Sequence, residues 1–101
     1  VLTGPLPSRL GDLVNLTELD LSENSLSGDL PSSIGGLSSI RSIDLSNNDF
    51  DIQLPTTLGN LTSLQSIDMS YNKIHGTLCT EIGRLKKLES LNLQGNDVTG
   101  P

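Results

Sequence analysis

Four asparagines mark a repeat of 24 residues that runs through the chain without an insertion, namely Asn24, Asn48, Asn72 and Asn96. The same pattern ends at each of them, as LTELDLSEN, IRSIDLSNN, LQSIDMSYN and LESLNLQGN. A second pattern follows, as LSGDLPSSIGGL, FDIQLPTTLGNL and IHGTLCTEIGRL. A repeat of this length predicts a solenoid, because a single unit cannot bury its apolar side chains alone and must stack on its neighbours.

The repeat also predicts how the chain divides. Counted from the first leucine of each unit, one array covers residues 1–101, with a partial repeat at 1–12, full repeats at 13–36, 37–60 and 61–84, and a partial repeat at 85–101. Neither end matches a capping segment, so we interpret the chain as a fragment of a longer array. Uncapped end coils expose apolar side chains and strand edges, which favours end-to-end self-association or a larger assembly.

Each unit contains a predicted strand just before its asparagine. Leu19 and Leu21 alternate with Glu18 and Asp20, which is the periodicity of a strand with one buried face. Short strands that recur once per unit predict one parallel sheet. We expect the asparagine to pair with backbone groups of its own and neighbouring coils. A second short extended segment and one tight helical turn, over 31–37 in the first full repeat, complete the predicted coil.

Composition excludes several other architectures. The chain has no alanine, ten glycines and five prolines, which disfavours a helical bundle. Leu, Ile, Val and Phe make up 31 of the 101 residues, which is too many for a disordered chain. Because Phe50 and Tyr71 are the only aromatic residues, the core must be filled by strict placement of leucine and isoleucine.

Charge and reactive residues exclude several classes of function. The net charge of −6 disfavours nucleic acid and anionic membrane as partners. Cys79 is the only cysteine, which excludes an internal disulfide and a cysteine-based metal site. His75 is the only histidine and has no ligand or triad pattern around it. No apolar run approaches the roughly 20 residues of a membrane span, and the start, VLTGPLPSRL, is not a signal peptide. We therefore expect no enzyme activity, no cofactor, no metal and no direct membrane contact by this segment.

The two patterns together resemble the leucine-rich repeat family in its 24-residue plant-type extracellular class, LxxLxxLDLSxNxLxGxIPxxLGxL. This resemblance covers the whole chain and implies an α/β repeat fold: a right-handed solenoid with a concave parallel β-sheet and short 3-10 turns on its convex side. It also implies recognition of a protein or peptide outside the cell. The class is similar to receptor-kinase ectodomains and polygalacturonase-inhibiting proteins.

Two columns of the repeat contain a departure from their pattern. Ile52 stands where Gly4, Gly28, Gly76 and Gly100 occupy the other units. Because a β-branched residue is costly at positive φ, we expect ordinary extended backbone in this column and an apolar side chain on the flank at Ile52. Cys79 replaces a proline and is interpreted as a small, packed or half-exposed apolar residue.

The strand alternation predicts an acidic concave face. Six carboxylates and one base fall there, and a one-signed concavity favours a basic partner. Tyr71 is its only aromatic residue and, with Arg41, the best candidate anchor. The candidate partner-binding residues are Glu18, Asp20, Glu23, Arg41, Asp44, Gln65, Asp68, Tyr71 and Glu89.

Other interpretations stay open at the level of the sequence. Repulsion along the column of Asp20, Asp44 and Asp68 would raise pKa values or attract calcium, although hydrogen bonds from neighbouring serines are the better explanation. The sequons at Asn15 and Asn60 predict N-glycosylation. Instead of recognition, the chain could serve as a structural, assembly or spacer segment. Ice or polysaccharide binding is a distant third alternative, because the strands lack threonine ladders.

Overall fold

The computed structural model describes residues 1–99. Its elements, with η for a 3-10 helix, are β1 (Thr3–Gly4), η1 (Ser8–Asp12), β2 (Glu18–Asp20), β3 (Ser25–Leu26), η2 (Ser32–Gly36), β4 (Ser42–Asp44), η3 (Thr56–Asn60), β5 (Ser66–Asp68), β6 (His75–Thr77), η4 (Thr80–Arg84), β7 (Ser90–Asn92) and β8 (Asp97–Thr99). None of the helices in this part of the chain is long and apolar enough to cross a membrane.

The main sheet is parallel and has the strand order β2-β4-β5-β7. Each strand pairs with the equivalent strand of the next unit, so that Leu19 lies beside Ile43 and Ile43 beside Ile67. The predicted stack of one strand per coil is therefore confirmed. Since every rung is the same pattern shifted by one unit, side chains at equivalent positions form straight columns across the sheet.

The core is one continuous cluster of apolar side chains. Ile43 and Ile67 enter it from the main sheet, and Ile34 and Leu58 enter it from the 3-10 helices, each at most 2% exposed. Phe50 is completely buried and is the only aromatic side chain in the cluster. A narrow interior between a sheet and a row of short helices explains why a modest apolar content suffices.

The repeated asparagines form a ladder inside the turns that follow the main strands. The side-chain amide of Asn48 donates to the carbonyls of Leu45, 3.1 Å away, and of Leu21 in the preceding coil, 3.0 Å away. Its Oδ1 accepts the backbone N–H of Leu26 at 3.0 Å. Asn72 repeats these contacts one coil later. The predicted pairing within and between coils is confirmed, and it leaves these buried backbone groups satisfied.

Within residues 1–99, the convex side consists of four short 3-10 helices. The residue before each helix has extended backbone, with ψ between 142° and 146° at Pro7, Pro31, Pro55 and Cys79. Proline suits this position because its φ is already fixed near the required value. The predicted tight turn after each proline is thus confirmed, and the proline column marks where it begins.

The close approach of neighbouring coils requires glycine at more than one position of these helices, and Gly59 is one of them. A Cβ on Gly59 would lie 2.7 Å from the carbonyl oxygen of Glu81, whereas a Cβ on Gly83 would meet no atom within 4 Å. We expect Gly59→Ala to lower the free energy of unfolding by about 1–3 kcal/mol, because the overlap forces the coils apart. The matched Gly83→Ala change should alter it by less than about 0.5 kcal/mol. Urea unfolding measures both, and equal midpoints for the two variants would contradict the packing described.

The second extended segment forms only in part, and the expectation for its glycine column is wrong. In this segment β1 pairs with β3, and β6 pairs with β8. The equivalent residues of the coil between them, 49–54, form no strand. Gly4, Gly28 and Gly76 have positive φ, at 82°, 75° and 80°, whereas Ile52 is not among the positive-φ residues. Gly100 lies outside the described residues.

Ile52 also faces the interior, which corrects the prediction that it lies on the flank. Its side chain is 5% exposed and belongs to the core cluster. A β-branched residue is strongly disfavoured at positive φ, so the backbone bends at this position and buries the side chain. The row of second extended segments is therefore interrupted between β3 and β6.

Candidate functional site

The solvent side of the main sheet collects carboxylates from successive coils. Asp20 is exposed on β2, and Asp44 and Asp68 are half-buried on β4 and β5. The register places Asp20 beside Asp44 and Asp44 beside Asp68. We call this surface the acidic face and define it by the nine residues Glu18, Asp20, Glu23, Arg41, Asp44, Gln65, Asp68, Tyr71 and Glu89.

A second row of the acidic face precedes the strands. The N–H of Arg41 donates to the carbonyl of Thr17 at 2.8 Å, that of Gln65 to Arg41 at 2.8 Å, and that of Glu89 to Gln65 at 2.7 Å. Arg41, Gln65 and Glu89 are exposed, as is Glu18 on the adjacent strand. Backbone pairing therefore places Arg41, Gln65 and Glu89 side by side in successive coils, although each is 24 residues from the next in the sequence.

Serines two residues after each aspartate hold the carboxylates in place. Asp20 Oδ1 accepts the Ser22 hydroxyl at 2.7 Å and the Ser22 N–H at 3.0 Å. Equivalent pairs recur at Asp44 and Asp68, with hydroxyl distances of 2.6 Å. These two hydrogen bonds lower the pKa of Asp20 below the ordinary value of 3.8, and the one from the Ser22 hydroxyl has the larger effect. The alternative that repulsion raises this pKa is wrong for Asp20, because donors to the charged form dominate.

The aspartate column does not form a cluster of metal-ligating side chains among the described residues. Among residues 1–99, no group of three or more His, Cys, Asp or Glu side chains is arranged to hold a metal ion. Ser46 and Ser70, which the alternation places on the concave face, are buried at 6% and 4% exposure. They turn toward the aspartates of their own coils, so the surface presents carboxylates supported from below by hydroxyls.

Tyr71 lies at the edge of the acidic face where the main strands end. Its backbone is left-handed, with a φ of 55°, and Glu23 and Asn47 share this conformation at the equivalent turns, with φ of 58° and 57°. The tyrosine side chain is 50% exposed. The Cγ–Cδ1–Cε1 side of its ring lies against Gly95, one coil further. The sequence analysis selected Tyr71 but missed Gly95. A glycine one repeat after an aromatic residue could have indicated that the ring packs against it.

The remaining chemically active side chains lie away from this face. His75 is exposed, and its Nε2 lies 3.1 Å from Asp51 Oδ1, a contact that the sequence pattern did not indicate. Cys79 is a half-buried free thiol, which agrees with its predicted role as a small packed residue. Among residues 1–99, neither belongs to a group of three or more His, Cys, Asp or Glu side chains that could hold a metal ion.

Both sequons are exposed on the surface. Asn15 lies in a turn before β2, and Asn60 is the last residue of η3. The threonines of the two sequons, Thr17 and Thr62, are exposed as well. The exposure of both sequons is compatible with N-glycosylation.

Comparison with known proteins places this architecture in a family. The family described as leucine-rich repeat region matches this sequence over residues 2–99. A search of curated proteins gave no match. Among solved structures, the chain is similar to the ectodomain of the plant membrane receptor kinase GASSHO1/SCHENGEN3 of Arabidopsis thaliana in complex with CASPARIAN STRIP INTEGRITY FACTOR 2. The identity is 38% and the TM-score 0.91, over 95% of this chain and 12% of that chain.

Two further structures show the same likeness. The Arabidopsis receptor kinase HAESA, in complex with the peptide hormone IDA and the co-receptor SERK1, is 42% identical with a TM-score of 0.88, over 95% of this chain and 16% of that chain. The BIR2 ectodomain of Arabidopsis thaliana is 31% identical with a TM-score of 0.91, over 97% of this chain and 52% of that chain. The chain thus spans about half or less of the length of these proteins. It belongs to the leucine-rich repeat family and is a plant-type, right-handed solenoid with the main sheet on its concave face and 3-10 helices on its convex face.

Proposed function

We propose that this chain is part of an extracellular recognition module, from a receptor ectodomain or a secreted inhibitor, that binds a basic peptide or protein segment on the acidic face. The observation that carries the proposal is the alignment of carboxylates from four coils on one side of the main sheet. Arg41 is the only base among them. The leucine-rich repeat ectodomain is a recognition fold without catalytic function, and we propose no enzyme activity for this chain.

The charge of the face supports a cationic ligand for two reasons. Carboxylates that line one surface attract a positively charged partner from a distance and repel acidic competitors. Asp44 and Asp68 are half-buried, so they are less screened by water and salt than the exposed Glu18 and Glu89. An extended segment that crosses the coils would run along the aspartate column and meet Asp20, Asp44 and Asp68 in turn.

The similar structures support the same class of ligand. They include a receptor bound to CASPARIAN STRIP INTEGRITY FACTOR 2, a receptor bound to a peptide hormone and a co-receptor, and a complex of two proteins, BIR3 and SERK2. Each of these is a protein or peptide complex. For this chain we infer the class of partner from that likeness and its basic character from the acidic face.

Selection from a library of random 12-residue peptides tests the proposal. The native chain is compared with a variant that carries Asp20→Asn, Asp44→Asn and Asp68→Asn. Asparagine can replace these aspartates because Asn92 occupies the same column and accepts the N–H of Gln94 at 3.0 Å. The matched control carries Asp29→Asn, Asp49→Asn and Asp97→Asn, which remove the same charge from exposed positions outside the acidic face.

We expect the native chain and the control to enrich peptides rich in arginine and lysine. The face variant should lose that enrichment, because the attraction comes from the columns and not from net charge alone. Enrichment of acidic or purely apolar peptides would contradict the proposal, and so would equal enrichment by the two variants.

The extracellular location predicts occupied sequons. Secretion of the chain from a eukaryotic host should add one N-glycan at Asn15 and one at Asn60, since both side chains are exposed. Asn15→Gln and Asn60→Gln should each remove one glycan mass, and the double variant should remove both. Mass spectrometry before and after enzymatic deglycosylation measures this. An unmodified native chain from a glycosylating host would count against the proposed location.

One observation favours the assembly alternative. Leu13 and Val14 are 51% and 49% exposed and border a cavity of about 360 Å³ lined by residues 12–16. If a second copy covers this end of the solenoid, Leu13→Glu with Val14→Glu should convert a sedimenting dimer into a monomer. A native chain that sediments as a monomer at every concentration would remove this alternative.

A further inference from the structure

The column of turn residues at the edge of the acidic face contains a glycine that the backbone does not require. Glu23, Asn47 and Tyr71 have φ of 58°, 57° and 55°, and Gly95 has a φ of 74°. Three of the four coils therefore accommodate a side chain in the left-handed conformation, even though it is costly for most residues. The conformation alone does not explain why the fourth coil has glycine.

The tyrosine of the preceding coil supplies the explanation. A Cβ on Gly95 would lie 2.8 Å from Tyr71 Cε1, 3.1 Å from Cγ and closer still to Cδ1. The ring occupies the space that a side chain at position 95 would fill. Substitution of Gly95 by any other residue must displace the ring from this position.

The ring is consequently held in place and still open to solvent. Gly95 supports one side of it, while the residue remains 50% exposed. The N–H of Tyr71 donates to the carbonyl of Gln94 at 2.8 Å, which ties the two turns together. A pre-ordered aromatic ring loses little side-chain entropy when a ligand covers it. Exposed aromatic rings attract arginine and lysine side chains, and arginine more often.

We propose that Tyr71, positioned by Gly95, is the binding platform for an arginine side chain of the ligand. The inference rests on the proposed function and makes it more specific. Asp68, three residues before Tyr71 and on the same face, supplies negative charge near the platform. Tyr71 is the residue that contacts the ligand, and Gly95 acts only through it.

The composition of the chain provides a selective probe. Tyr71 is the only tyrosine and there is no tryptophan, so intrinsic tyrosine fluorescence reports on this one ring. We titrate the native chain with a hexa-arginine peptide and with its uncharged hexa-citrulline counterpart, and follow both fluorescence and calorimetric heat. Hexa-arginine should change the fluorescence with the same midpoint as the heat, and hexa-citrulline should change neither.

Variants separate the platform from the acidic face. Tyr71→Leu and Gly95→Ala should each weaken hexa-arginine binding about two- to fivefold, the range expected for loss of an exposed cation–π contact. Tyr71→Phe should bind like the native chain. Gly83→Ala, the same substitution on the convex side, should have no effect. The double variant Tyr71→Leu with Gly95→Ala should bind no more weakly than Tyr71→Leu alone, because Gly95 acts through the ring.

The possible results distinguish the two proposals. If hexa-arginine binds the native chain, Tyr71→Leu and Gly95→Ala with equal affinity, the platform is overturned while the acidic face stands. The platform is likewise overturned if Gly95→Ala weakens binding as much in the Tyr71→Leu variant as it does in the native chain. Gly95 would then act on the fold and not through the ring. If hexa-arginine does not bind the native chain, both proposals fail. Thermal melting of each variant is the control that tests whether the solenoid is intact.

Discussion

Replacement of Phe50 by alanine is expected to lower the free energy of unfolding by about 3–5 kcal/mol, the largest loss of any single substitution considered. The side chain is completely buried and is the only aromatic group in the core cluster. The stacked coils hold their backbone through ladder hydrogen bonds and cannot collapse into the space that it leaves. Since small domains have only about 5–15 kcal/mol of stability, the variant should be close to unfolding at room temperature.

Phe50→Leu is the matched control for this prediction. Leu26 and Ile74 occupy the equivalent positions of the neighbouring coils, because the N–H of each donates to an asparagine Oδ1 as the N–H of Phe50 does. An aliphatic residue of their size should therefore fit with a cost of about 1 kcal/mol. Urea unfolding followed by circular dichroism compares the two variants. Similar midpoints for Phe50→Ala and Phe50→Leu would show that the ring does not fill the interior as described.

Removal of one ladder asparagine is the second large effect. Asn48→Ala should cost about 2–4 kcal/mol, because it leaves the buried N–H of Leu26 without its acceptor. It also removes one of the two asparagine amides that donate to each of the carbonyls of Leu21 and Leu45, which keep only Asn24 and Asn72. Each buried polar group left unpaired costs about 1–3 kcal/mol, and a water molecule in the vacated space can recover part of this.

Asn24→Ala is the control for the ladder. Asn24 is half-buried, and its Oδ1 accepts the N–H of Leu2 at an exposed position. Water can replace that contact, so we expect a loss of about 1 kcal/mol. The same urea experiment measures both variants. The proposed importance of the buried ladder would be contradicted if Asn24→Ala destabilised the chain as much as Asn48→Ala.

The regular parts of this fold could be predicted because the repeat constrains them many times over. A single strand of three residues, such as Ser42–Asp44, is a weak indication of a sheet. Four copies at a fixed interval leave only a parallel stack, and the stack in turn dictates where Asn48 and Asn72 find their partners. The acidic face follows from the same spacing, since aspartates 24 residues apart in the sequence lie beside one another on the sheet.

Departures from the repeat were harder to predict. At Ile52 the chain could keep the turn of its neighbours with strained backbone, or bend and bury the side chain. The sequence contains no measure of that balance, and the core had room for the isoleucine. The pKa of Asp20 is a similar case. Repulsion along the column and hydrogen bonds from Ser22 oppose one another, and only the geometry shows that the hydrogen bonds dominate.

The contact between Tyr71 and Gly95 was missed for another reason. Each residue is ordinary within its own repeat, and its importance appears only when equivalent positions of adjacent repeats are read as contacting pairs. In a solenoid of this kind, residues 24 positions apart lie side by side, so a glycine that follows an aromatic residue at this interval can leave room for the ring, as Gly95 does for Tyr71. This signal is present in the sequence and can be sought in other leucine-rich repeats.

Recognition on the acidic face is most directly tested by nuclear magnetic resonance mapping on the ¹⁵N-labelled chain, titrated with the most enriched library peptide. We predict that shifted amide signals cluster at 18–23, 41–47, 65–71 and 89–95, which are the main strands and their turns. Amides of the 3-10 helices should not move. Shifts centred on the convex helices or on the flank around His75, or binding without shifts on the main sheet, would contradict recognition on the acidic face.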